Sequence, residues 1–499
     1  MRIGVLIVAG SVLTAALPAH AALTISGKAT KNVDCSAGVC STTKKSANLN
    51  VAELSSMLAS GNVTVQSTAK PMDIEIKDDL TWASMHFLTL ISYRSIRISG
   101  TVTVEGTGNL TLETNDGGND QGGALSFAGK GHVTFWDTNS NLNINNQHYV
   151  LANSILGIQA AATEHFGESV ALANSYDASA DGVYASPPVS TQIVASFEGL
   201  GNTISNLKVK SGAGGGLFLD TPLFLENLHL TKFKVSGSGM VGALGARCGV
   251  SIANVDASGS VVGRKGANTG GICGVIGGGH ISNVSFKGSV SGIGTAKQGI
   301  HSTAGGLFGV SSATIVNSYS TATVDGADGW QVGGLVGQNG GPIDGSFATG
   351  TVRGTDNAIV GGLIGQNVAS FPNELITNSY ATGFAGGGVG SMVGGLIGQN
   401  DRGVIDCYAS GPVVSGSGNA VGGLIGDDLG EADLTDTYFD ISTTGQSHGV
   451  GNNTSYPGVT GLTTEQFQAG LPTGFDPLIW AENANINGGL PYLLALPPG

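Results

Sequence analysis

Two sets of side chains in this 499-residue sequence have the types and spacing that chemistry needs. The first is acidic: Asp427, Asp428, Glu431, Asp433, Asp436 and Asp440 crowd into one short stretch. Carboxylates about 5 to 10 Å apart can cleave a glycosidic bond, one as acid and the other as base or nucleophile, and a dense oxygen cluster can hold calcium. The spacing fits no EF-hand and no basic residue is interspersed, so we read the stretch as a solvated end face, with a calcium or sugar site as the alternative. The second set is aromatic. Tyr319, Phe347, Tyr380, Tyr408 and Tyr438 recur at nearly constant intervals, and rings presented in a row can stack on sugars. Other chemistry finds no support: the nine histidines form no His-Glu-x-x-His pair, no cysteine pair has zinc spacing, and no Gly-x-Ser-x-Gly elbow is followed by Asp and His partners. We therefore expect no catalytic residue, no metal and no cofactor.

What positions the rings is a repeat. Gly305-Gly-Leu-Phe-Gly309 returns as Gly-Gly-Leu-Val-Gly at Gly333 and as Gly-Gly-Leu-Ile-Gly at Gly361, Gly394 and Gly422, with looser copies at Gly270, Gly242 and Gly215. A near-constant period marks a stacked architecture, in which a unit too small to bury its own apolar face buries it on the next. Gly, Thr, Val and Ser leave no room for a helix pair, so each unit is several short strands. The expected fold is all-β: a right-handed parallel β-helix, a solenoid with short capping helices. Within Phe347-Ala-Thr-Gly-Thr-Val352, Ala348, Gly350 and Val352 share one face, which we assign inward. The aromatic column then faces outward if the chain bends at the preceding Asn-Ser, and joins the core if it does not. Asn227, Asn254, Asn283, Asn317 and Asn378, continued by Asp406 and Asp436, form a second column, and Gln338-Asn339, Gln366-Asn367 and Gln399-Asn400, continued by Asp427-Asp428, a third. Left-handed turns and amide ladders explain both without a ligand.

Met1 to Ala21 has a basic start, an apolar run too short to span a membrane, and Ala19-His-Ala21 as a cleavage site before Ala22, so the expected location is secreted, extracellular or at the cell surface. In an oxidising compartment Cys35 and Cys40 can close a hairpin, whereas Cys248, Cys273 and Cys407 occupy different repeat positions and read as buried free thiols. Asn50 and Glu53 resemble a helix-capping pair for Val51 to Ala59, and Asn153 to Phe166 is a second helix candidate. With 21 basic against 35 acidic residues, the net charge of -14 argues against nucleic acid or an anionic membrane as partner.

The Gly-Gly-Leu-Ile-Gly units, with Ile-x-Asn-Ser-Tyr-Ala-Thr-Gly between them, resemble the GLUG repeat of bacterial surface proteins, including haemagglutinin-type adhesins and some large secreted peptidases. The resemblance covers Gly215 to about Tyr438. Asn50 to Asn145, with Leu88-Thr-Leu90 and Ser95-Ile-Arg-Ile98, is similar to the β-helical part of filamentous-haemagglutinin-like exoproteins. We accordingly divide the chain into an export signal (1–21), an N-terminal cap with a short helix (22–60), haemagglutinin-like coils (61–152), a helix-and-loop bracket (153–195), the repeat array (196–440) and a C-terminal cap (441–499). The resemblance implies a non-enzymatic adhesin that binds a host or neighbouring cell-surface glycan or protein, without membrane insertion, as a monomer or weak self-associate. A polysaccharide-active β-helix enzyme and a passive spacer are the rival readings.

Overall fold

Why the glycine motif recurs is visible in how closely successive repeats approach. A Cβ on Gly334 would lie 2.0 Å from the carbonyl oxygen of Gly362, and one on Gly362 would lie 2.0 Å from that of Gly395. Only glycine lets equivalent backbones pass at that distance. The computed structural model describes residues 22–498 apart from 71, 119–121, 194, 265, 295–301, 369–373, 418–419, 431–432 and 454–455. The proposed export signal and Glu431 therefore lie outside the described residues.

The chain is nearly all β, with long sheets of parallel strands. Each repeat contributes one strand to each of several sheets and pairs with the equivalent strand of the next repeat. In one eight-stranded sheet Thr303–Gly305, Gln331–Gly333, Ile359–Gly361, Met392–Gly394 and Ala420–Gly422 follow one another in register. A seven-stranded sheet carries Val336–Asn339, Ile364–Asn367, Ile397–Asn400 and Ile425–Asp428 in the same way. We call one repeat's set of strands a rung. Rungs joined edge to edge lie about 4.8 Å apart.

Two large apolar cores run through the molecule. One is lined by residues from Leu23 to Leu151, with Ala171, Ala173 and Leu200; the other runs from Ala152 to Val450. Between them the chain reverses at Asn145 and Asn146, both with positive φ, so Leu142–Ile144 and Gln147–Ala152 pair antiparallel. A two-residue turn of this hand matches the natural strand twist. The first set of sheets would end in an open edge at His132–Phe135, a template for unwanted pairing. Backbone bonds from Val133 to Leu200 (3.0 Å) and from Phe135 to Ala173 (2.7 Å) close it, and Asn202 donates to the carbonyls of Val133 and Leu172.

The helices are local brackets. Val51–Ser60 is capped by Asn50, whose side chain accepts from the amides of Ala52 and Glu53, and buries Leu54 and Leu58. Glu53 does not return to the Asn50 amide; Thr30 relays between them, accepting from that amide and donating to the carboxylate. Ile155–Glu164 is capped by Ser154 and buries Ile155, Ile158, Ala161 and Ala162 in the second core.

Candidate functional site

The bend on which the aromatic column depends is present. Asn227, Asn254, Asn283, Asn317, Asn378, Asp406 and Asp436 all have φ between 45° and 56°, with Gly345 at 56° and Gly201 at 73° in the remaining two rungs. This left-handed conformation suits Asn, Asp and Gly and turns the chain so that the residue two positions on points away from the main core. Reading that position rung by rung gives a single row: Thr203, His229, Asp256, Ser285, Tyr319, Phe347, Tyr380, Tyr408 and Tyr438. The aromatic column is the second half of a longer line that begins polar.

The outward rings are nevertheless not open to ligand, which corrects the expectation for Phe347, Tyr380, Tyr408 and Tyr438. They are 2%, 0%, 0% and 7% exposed because the C-terminal segment lies over them, packing Phe467, Phe475, Trp480 and Leu493 into a third apolar cluster. Tyr408 donates to the carbonyl of Pro491 and accepts from Asn487, Tyr438 donates to the carbonyl of Thr473, and the Trp480 indole donates to Asn378. Tyr319, at the end of the row, is half-buried. Ring geometry adds a second correction. Tyr319, Phe347, Tyr380 and Tyr408 stack on one another, with centroids 4.9 to 5.1 Å apart and planes within 12°. The inner rings Phe347 and Tyr380 spend both faces on their neighbours and offer only an edge, and Tyr438, outside the stack, is met T-shaped by Phe467 and Phe475. Tyr319, flanked on its far side by Ser285, keeps one face unstacked and lies outside the C-terminal cover's buried rings.

In the polar half, His229 Nδ1 lies 2.5 Å from Asp256 Oδ1, and this bond raises the imidazole pKa. Ser285 lies on the far side of Asp256, so the carboxylate and not the imidazole sits in the middle of the His, Asp, Ser series. A hydrolytic triad needs the imidazole between nucleophile and carboxylate. Thr203, in register on the other side of His229, makes no hydrogen bond to it among the described residues.

The amide columns are ladders with a direction. Asn283 donates to Asn254, Asn254 to Asn227, and Asn227 to the carboxylate of Glu198. A buried ladder runs the opposite way along the chain, from Asn339 through Asn367 and Asn400 to Asp428, and Gln366 and Gln399 lead likewise to Asp427. Each ladder ends on an acidic side chain because its last amide N–H needs an acceptor, and a carboxyl oxygen supplies one. This corrects the reading of the acidic stretch as a solvated end face. Asp428 is buried as a ladder terminus, and Asp440 is buried as the cap of the helical turn Ile441–Thr444. Asp433 alone of the described members is strongly exposed. Among the described residues no group of three or more His, Cys, Asp or Glu is placed to hold a metal ion. At the other ladder's end, burial and the in-register Glu226 push the Glu198 carboxyl up to about 8.

Cys35 and Cys40 are bonded across an antiparallel hairpin turned by Ala37 and Gly38. Contrary to expectation, Cys248 and Cys273 are also bonded, with Cα atoms 6.0 Å apart. They differ in repeat position, but Cys273 pairs in register with Gly245 and the bridge reaches diagonally across two rungs. Cys407 is a buried free thiol, its pKa raised by desolvation.

Taken together, the features define a nearly all-β repeat protein with a regular outer row, polar at one end and covered at the other. The GLUG motif model matches residues 328–353, the rung that holds Gly-Gly-Leu-Val-Gly and Phe347. The match supports reading the array as GLUG repeats. No curated protein matches it. It is similar to a solved structure described as a "putative immunoglobulin A1 protease from Bacteroides ovatus", with 19% identity over 70% of this chain and 92% of that one and a TM-score of 0.38, a likeness too distant to bear on activity.

Proposed function

We propose that this chain is an exported, non-enzymatic attachment protein, wound as a right-handed parallel β-helix whose flank contacts a glycan or protein on a host, neighbouring cell or matrix. The observation that carries the reading is the in-register outer row, which repeats one outward position along nine consecutive rungs. A rigid face of constant spacing suits extended contact, and of the acidic stretch Asp427 and Asp428 end ladders and Asp440 caps a helical turn. Export fits the two disulfides, which persist in oxidising compartments. The contact surface is sought on the uncovered rungs, because the aromatic rungs are spent on the C-terminal cover.

The test is adhesion of the purified mature chain to cells and to a glycan array, beside a length-matched unrelated rod. Saturable binding that the unrelated rod lacks supports attachment. Equal performance of the two rods makes the chain a spacer, and release of reducing or unsaturated ends from acidic or neutral polysaccharides makes it an enzyme.

A further inference from the structure

The whole-chain charge hides a local reversal. Residues 196–292 carry eight basic and four acidic residues, whereas 293–440 carry three basic and thirteen acidic. Five of the eight are lysines gathered on the outer sheet face of the first rungs: Lys208, Lys210, Lys232, Lys234 and Lys287. Lys210, Lys232, Lys234 and Lys287 are exposed and Lys208 is half-buried. Lys208 and Lys234 are direct register partners, and Lys210 follows on the same strand. Lys232 adopts φ 55° at a register shift between Thr231 and Phe233, which turns it out at the corner beside them. Lys287 extends the face two rungs further, in register with Ser258 and Thr231.

Like charges in register on neighbouring strands are destabilising, and stacks ordinarily place a counter-charge there. This chain does so elsewhere. On a later rung of the same sheet Arg353 lies beside its register partner Asp325, and Arg94 is bonded to Asp73 across rungs. None of the five lysines has a salt-bridge partner among the described residues; Lys232 interacts with one carboxylate, that of Asp177, which accepts hydrogen bonds from Asn206 and the Ser179 amide. Five lysines set against one such carboxylate leave most of the face's charge uncompensated within the chain, which points to a partner that supplies the missing charge.

We propose that this lysine face binds an acidic polysaccharide, a chain bearing carboxylate or sulfate groups, laid along the first rungs of the array. The inference rests on the attachment reading and names its ligand class. Between and beside the lysines the outward residues are Ser205, Thr231, Ser236, Ser258, Ser260 and Ser289, hydroxyls suited to hydrogen-bonding the hydroxyls of a sugar chain. No aromatic side chain stands between the lysines to stack on a base, as single-stranded nucleic acid recognition requires. Charged groups set one or two rungs apart, in steps of about 4.8 Å, match a polymer with one charge per one or two sugar units.

The experiment measures retention of the purified chain on immobilised heparin and polygalacturonate, with dextran as the neutral control, across a salt gradient. Lys208→Gln, Lys210→Gln, Lys232→Gln and Lys234→Gln are combined in one variant. A control of equal charge change combines Lys28→Gln, Lys31→Gln, Lys44→Gln and Lys45→Gln, and far-UV dichroism checks both folds. The expected result is salt-sensitive binding of the parent and the control, with the four-lysine face variant weakened about tenfold or more. Equal weakening of both variants overturns the proposal, as does equally tight binding to DNA or to phosphatidylserine vesicles. If the parent attaches to cells but to neither polysaccharide, the lysine face is wrong and the attachment reading stands; if it attaches to neither, both fall.

Discussion

Two halves of one row of side chains have been put to opposite uses. From Thr203 to Ser285 the outward position is polar and reaches solvent; from Phe347 to Tyr438 the same position is aromatic and buried beneath residues that follow the array. The backbone in both halves is the same left-handed bend followed by a strand, so the difference is made by what lies over the row. Rungs without a cover keep hydrogen-bonding groups and positive charge outside. Rungs with one carry rings that give the cover something to bury.

The contrast is sharpest in truncation. Tyr408 is fully buried among Phe467, Phe475 and Trp480, so Tyr408→Ala leaves a large cavity and is expected to cost about 3 to 5 kcal/mol in thermal or denaturant unfolding. Ser285→Ala, in the same row, should stay within about 0.5 kcal/mol. Similar costs for the two would break the comparison. The open half has its own brace, since Cys248 and Cys273 close a loop of 25 residues there. Replacing both by Ala is expected to cost about 3 kcal/mol under oxidising conditions and much less under strong reduction.

Titration separates the halves next. Because Glu198 has a folded pKa near 8, well above that of an unfolded glutamate, its contribution is complete below about pH 4.3 and is lost as pH rises through about 8. The parent should therefore lose on the order of a few kcal/mol over that window relative to Glu198→Gln, read as the difference of their melting temperatures from pH 5 to pH 9. A constant difference would remove the buried acid from the account. The smallest effect lies within the cover itself. Tyr408→Phe removes the hydroxyl's bonds to the Pro491 carbonyl and the Asn487 amide, which keep their bond to each other, and should cost about 1 kcal/mol. The Tyr380 hydroxyl is buried without a hydrogen bond among the described residues, so Tyr380→Phe should be neutral or slightly stabilising.

Much of this architecture is legible in the amino-acid sequence, and the reasons are physical. The strand pairing follows from a glycine motif that tolerates no side chain between neighbouring backbones. The outward turn of the row follows from Asn and Asp at positions that need positive φ. The ladder ends are half visible: Asp427 and Asp428 stand where the repeat otherwise writes Gln-Asn, but their crowding with other acids reads as a solvated face until the amide N–H groups behind them are placed. Three things are hidden. The Cys248–Cys273 bridge joins different repeat positions, so periodicity sets the two cysteines apart although a corner brings them together. The cover over Tyr380 and Tyr408 is made by residues with no repeat of their own, whose destination depends on tertiary packing. The lysine face vanishes into a whole-chain charge of -14 because the acidic rungs outnumber it.

Tyrosine nitration of the folded chain, mapped residue by residue, tests the central contrast most directly. The reaction needs an accessible phenolate, and burial raises the pKa of Tyr380 and Tyr408. Tyr319 should be modified readily while Tyr380 and Tyr408 are protected, and deleting the residues after Leu462 should bring their reactivity up toward that of Tyr319. Equal modification of all three in the full chain would contradict the account.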